Sequence, residues 1–159
     1  MTLLTSPTRV APTSRRLRAA MGCLLLTDLA GGLLAVASGL NTWGEAWGAR
    51  ALLAAPLPMI GAQLLLTWLA TRRATRGAAV AAGLLAVACL VSVASGFFDG
   101  GLADERLTGP LRGFQVLLLG VTGTVGVLAA ARARAVTRHG IRSRAVSRAP
   151  AGTCRSGAR

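Results

Sequence analysis

The sequence predicts an all-α integral membrane protein, a four-helix bundle. Three observations point there. Hydrophobic residues make up 53% of the 159 positions, although the formal net charge is +13. The charges gather in clusters instead of spreading along the chain, as expected where an ionised side chain in hydrocarbon costs several kcal/mol. Between the clusters lie four stretches of about 20 residues, each long enough at ~1.5 Å rise per residue to cross a ~30 Å hydrocarbon core.

The first stretch runs over 19–40 and is interrupted only by Asp28. The second covers 51–71, the third 77–98 and the fourth 113–131. Backbone groups in lipid must pair within their own segment, so each is expected to be a helix. No polar–apolar alternation of the kind found in membrane barrel strands is present. Pro56 and Pro58 fall early in the second stretch. They predict either a helix that starts near Leu57 or a hinge, because proline removes a donor and clashes with the preceding turn. Residues 1–17, rich in Thr, Ser and Pro, are expected to be disordered, leaving 18–132 as the membrane domain. The basic segment 133–159 is expected to be a mostly disordered tail, with 132–139 as a short extension of the fourth helix.

All 18 basic residues are Arg, and Ala and Gly are abundant, a composition that suggests GC-rich coding and a bacterial source. Most of the Arg lie on what would be one side: Arg9 to Arg18, then Arg72, Arg73 and Arg76, then the eight from Arg132 to Arg159. The other side carries Arg50, Arg106 and Arg112 with Glu45, Asp99, Asp104 and Glu105. The positive-inside rule therefore places both termini in the cytoplasm and the protein in the cytoplasmic membrane, with Trp43 and Trp47 at the outer interface. An Arg-flanked apolar core ending in Ala35-Val36-Ala37, after Ser14-Arg15-Arg16, also has the outline of a cleavable leader. Asp28 inside that core and the three further spans argue against cleavage; a purified chain starting near Ser38 would leave only three spans. A basic pI can signal nucleic-acid binding, but no soluble domain remains once the apolar blocks are set aside.

Val36-Ala37-Ser38-Gly39 recurs as Val93-Ala94-Ser95-Gly96, and Gly61-Ala62-Gln63 more loosely as Gly113-Phe114-Gln115. Two readings are open: a tandem duplication of a two-helix hairpin, or chance matching in an Ala/Gly/Leu/Val alphabet. Aligned on the repeat, Gly31, Ala35 and Gly39 form a small-residue stripe equivalent to Ala88, Ser92 and Gly96, so the first and third helices are expected to cross near their outer ends.

Asp28 lies ten residues after Arg18, Gln63 nine before Arg72, and Thr122 ten before Arg132. All three therefore fall at about 15 Å depth and form a possible intramembrane polar layer. Asp28 either carries a proton or a cation or serves as hydrogen-bonded glue between helices. Four spans with an acid in the first resemble the small multidrug transporters in architecture alone. The scarcity of aromatics and the strong charge bias depart from that pattern. Gln115, near the outer end of the fourth span, is expected to reach water.

Arg134, Arg138 and Arg142 recur every four residues. On a helix they would share one face toward anionic lipid headgroups, at about 1 kcal/mol per charge. No zinc spacing, Cys-x-x-Cys pair, phosphate-binding glycine loop or Ser–His–Asp set occurs. His139 is the single histidine, and Cys23, Cys89 and Cys154 are scattered. The expectation is a non-enzymatic membrane component without metal or cofactor, working beside a second copy or another membrane protein. The alternative is a small proton- or cation-linked transporter built on Asp28.

Overall fold

The computed structural model describes residues 11–48, 53–72, 75–98 and 108–147. These form four helices, α1 Ala11–Ala37, α2 Leu57–Thr71, α3 Arg76–Phe98 and α4 Gly109–Ser147, with no strand among them. The helices stand in a ring in chain order. α1 packs on α2 and α4, α3 packs on α2 and most extensively on α4, and no Cα atoms of α1 and α3 come within 8 Å of each other. The early turns of α1, the end of α2 and the middles of α3 and α4 share one apolar cluster of Leu17, Met21, Leu24, Ala70, Leu85, Cys89, Val125 and Ala129. The start of α1 thus lies at the same end of the bundle as the last turn of α2.

The surface is the inverse of a water-soluble bundle. Leu26, Leu65, Leu84, Leu90, Val116, Leu117 and Val127 are exposed, while Asp28, Gln63, Thr67, Gln115, Thr122 and Arg132 are buried. An apolar exterior around all four helices suits lipid, not water. α1, α3 and α4 are each long and apolar enough to cross a membrane, and α2 is a shorter apolar helix of 15 residues.

Several sequence expectations are corrected here. α1 begins at Ala11, inside the segment expected to be disordered, because Leu17 is fully buried in the core and anchors the turns around it. α4 continues to Ser147, well beyond the expected short extension, since Ala and Arg are strong helix formers and Pro150 is the first breaker. α2 begins at Leu57 and not at residue 51. Pro56 adopts φ −57° and ψ 141°, an extended conformation, and Pro58 occupies the first turn, where no donor is missed. The expected crossing of the first and third helices does not occur. Gly31 and Ala35 instead seat the segment that leads back into α2, Leu53 above all, against α1. On α3 the close approach is toward α4: Gly96 faces the Leu119 side chain, and a Cβ at Gly126 would lie 3.0 Å from that of Cys89. Residues 1–10 and 148–159, and with them Arg9 and Cys154, lie outside the described residues, as do Asp99, Asp104 and Glu105.

Gly39 has a different task from its stripe-mates. It closes α1 with φ +72°. Its amide donates to Val36 O at 3.0 Å and that of Leu40 to Ala35 O at 3.0 Å, the two bonds of a Schellman cap. Open space surrounds it. Gly39→Ala should therefore lower stability by only about 1 kcal/mol, through the left-handed backbone and not through packing. Thermal unfolding in detergent checks this; a loss several times larger would return Gly39 to a helix contact.

Candidate functional site

The connection between α1 and α2 folds back into the bundle before α2 starts. Trp47 stacks on Trp43 with ring centroids 5.9 Å apart, and Trp47 also lies against Gly32 of α1. The Glu45 carboxylate accepts from the Thr42 amide at 3.1 Å and from the Thr42 hydroxyl at 2.9 Å, which closes the turn between them. The Leu57 amide donates to Trp47 O at 3.1 Å. Residues 53–56 are thereby held as non-helical backbone inside the ring. Such backbone is tolerated at membrane depth where protein surrounds it or where it borders a polar cavity.

Asp28 completes that arrangement. Its Oδ1 accepts a hydrogen bond from the Ala55 amide at 3.0 Å, just before α2, where the helix dipole favours a negative charge. Its Oδ2 is buried with no hydrogen-bond partner. The other end of α2 is held in the opposite sense. Arg132 of α4, only 1% exposed, donates through Nε to Ala70 O at 3.2 Å and through a terminal nitrogen to Arg72 O at 3.4 Å. A cation at the carbonyl end and an anion at the amide end match the polarity of α2.

Between the helices lies a cavity of about 480 Å³. Asp28, Gln63, Gln115, Thr122, Ser92 and Ser95 supply its polar lining; Leu24, Met59, Leu118 and Leu119 are among its apolar walls. The three residues of the expected polar layer thus line one space. Thr122 donates to Leu118 O at 2.8 Å and keeps its lone pairs available. Gln63 Oε1 and Gln115 Oε1 are buried without partners, as is Asp28 Oδ2. Three buried oxygens of the cavity thus lack a donor, beside the amide groups of Gln63 and Gln115 and the hydroxyls of Ser92 and Ser95, which bring donors of their own. All of these lining residues come from one chain, and the cavity is open on one side.

No protein-family model, curated protein or solved structure matches this chain.

Gln115 corrects the expectation that it reaches water: it is buried and lines the cavity. Two signals pointed to it. It stands seven residues before Thr122, two helical turns away on the same face, and the repeat pairs it with Gln63. Ser92 also lines the cavity, whereas Ala88 is half-buried on α3. Thr27 and Thr124 bond to carbonyls of their own helices and do not line it. Arg134 and Arg138 are exposed along α4; the side chain of Arg142 lies outside the described residues. Among the described residues no three metal-ligating side chains come together.

Proposed function

We propose that this is a non-enzymatic, multi-pass protein of the cytoplasmic membrane whose central cavity takes up a proton or a small monovalent cation through Asp28. In this reading all four helices cross the bilayer. The second crossing is made by α2 together with the extended residues 53–56, because a 15-residue helix alone covers only about 22 Å. Both termini face the cytoplasm, following the arginines.

The observation that carries the reading is the unpaired Oδ2 of Asp28 in a cavity shared with the unpaired oxygens of Gln63 and Gln115. A buried carboxylate oxygen is costly without a proton, a donor or a cation, and intramembrane acids commonly mark ion pathways. Non-helical backbone at residues 53–56 beside such an acid supports the same view. The accessory-component reading draws on the other oxygen, since the bond from Ala55 to Oδ1 gives Asp28 a packing role as well.

Asp28→Asn separates the two. The amide oxygen still accepts from Ala55, so the melting temperature in detergent should stay close to wild type. The charge is gone, so uptake of H⁺, Na⁺ or K⁺ into proteoliposomes should fall at least about tenfold, equivalent to ~1.4 kcal/mol. Equal flux in wild type and variant, or no flux of any of the three ions in wild type, would leave only the accessory role.

A further inference from the structure

We infer that a groove between α1 and α2, at the arginine-rich end of the bundle, binds the headgroup and one acyl chain of an anionic phospholipid. The inference rests on the helices crossing a membrane and is independent of what the central cavity carries. The groove has a volume of about 450 Å³ and is separate from that cavity. Arg18, Met21 and Leu25 line it from α1, and Leu64, Thr67, Trp68, Thr71 and the following Arg72 line it from the α2 side.

The order of these groups along the helices is that of a phospholipid. Arg18 and Met21 are three residues apart on α1, and Leu25 lies four further on. On α2, Arg72 precedes Trp68, Thr67 and Leu64 on the way into the bundle. On the α2 side charge, hydroxyl and hydrocarbon (Arg72, Thr71 and Thr67, Leu64) therefore follow one another over about 12 Å, while on α1 Arg18 leads directly to the apolar Met21 and Leu25. A free inorganic anion would use only the first of these layers.

Each layer has something to offer. The Arg72 guanidinium lies 3.5 Å from the centroid of the Trp68 ring, which holds it in place while its edge remains open to a phosphate oxygen. Arg18 is near enough to Arg132 for the two cations to repel each other. Among the described residues the only acids are Asp28 and Glu45, and neither lines the groove. An anion beside Arg18 would relieve that repulsion. Thr67 is 5% exposed, and its hydroxyl has no hydrogen-bond partner. Thr27, Thr122, Thr124 and Thr137 all donate to the carbonyl four residues back, so Thr67 is the exception. The hydroxyl oxygen itself is buried, so a lipid ester carbonyl would accept its proton after rotation of the Thr67 side chain toward the groove.

The test is native mass spectrometry of the full chain released from micelles containing equal amounts of phosphatidylglycerol and phosphatidylcholine. Wild type should retain phosphatidylglycerol preferentially. Arg18→Gln/Arg72→Gln should lower that retention about tenfold or more, and Thr67→Val should lower it less, with melting temperatures in lipid-free detergent unchanged. Arg134→Gln/Arg138→Gln/Arg142→Gln should retain phosphatidylglycerol like wild type. Equal retention of the two lipids would overturn the proposal, as would undiminished retention in Arg18→Gln/Arg72→Gln. Loss confined to the tail variant would assign the lipid to α4 instead. Displacement of phosphatidylglycerol by millimolar inorganic phosphate would make this a soluble-anion site and refute the lipid assignment.

Discussion

Arg132→Met is expected to destabilise the bundle by about 3 kcal/mol, among the largest effects of any single substitution outside the apolar core. The last carbonyls of a helix have no partner within it. In α2 the Thr71 hydroxyl donates to Trp68 O at 3.3 Å, and Arg132 supplies donors to Ala70 O and Arg72 O. Methionine fills much of the same volume and keeps the contacts of the stem. What it removes is the pair of charge-assisted bonds and the cation at the negative end of the α2 dipole. The freed Ala70 carbonyl has little access to water, because Ala70 is fully buried, whereas Arg72 is exposed. Arg132→Lys should recover part of the loss, since one ammonium can serve either carbonyl but lacks the fork that reaches both. Thermal unfolding in detergent gives the comparison. A methionine variant as stable as wild type would show that Arg132 only marks topology.

Gly31→Ala should cost about 2–3 kcal/mol, far more than one methyl group normally does. A Cβ there would collide with the carbonyl oxygen of Leu53, and the Phe114 ring lies only 2.9 Å from the same point. A side chain could rotate away, but a backbone carbonyl held by its neighbours cannot. The segment 53–56 would have to withdraw from α1, taking the Ala55 amide away from Asp28. The damage should therefore reach the cavity as well as the fold. Asp28→Leu removes the same link from the other side, so the double variant should lose less stability than the two single losses added together. Gly61→Ala and Gly120→Ala serve as controls. Both glycines are helical with nothing near the added methyl group, and alanine is the better helix former by about 1 kcal/mol. If Gly31→Ala behaved like these controls, the loop would not pack as described.

α3 was the most legible element in the sequence. It spans Arg76–Phe98, against an expected 77–98, because charge-free length is a solvent property and needs no knowledge of neighbours. The late start of α2 was equally readable from Pro56 and Pro58, since proline acts on its own backbone. Depth along a helix was readable too, and it grouped Asp28, Gln63 and Thr122. Depth does not carry the angle at which a helix faces its neighbour. For that reason Gln115 was assigned to water, and Gly31 to α3 instead of Leu53. The helical starts and ends were misjudged wherever burial of a single residue, such as Leu17, outweighed the local composition.

By itself the sequence determined that this chain is apolar in helix-length blocks, with its arginines gathered at the block ends and one acid buried among them. Those are one-dimensional quantities, set by how each residue partitions between water and hydrocarbon. Only the tertiary structure decided that the connection between α1 and α2 returns into the ring, that Asp28 and Arg132 hold opposite ends of α2, and that Thr67 lines a groove separate from the cavity. Each of these depends on distances between residues far apart in the chain. Arg132 and Ala70 are 62 positions apart, and no local preference encodes their meeting.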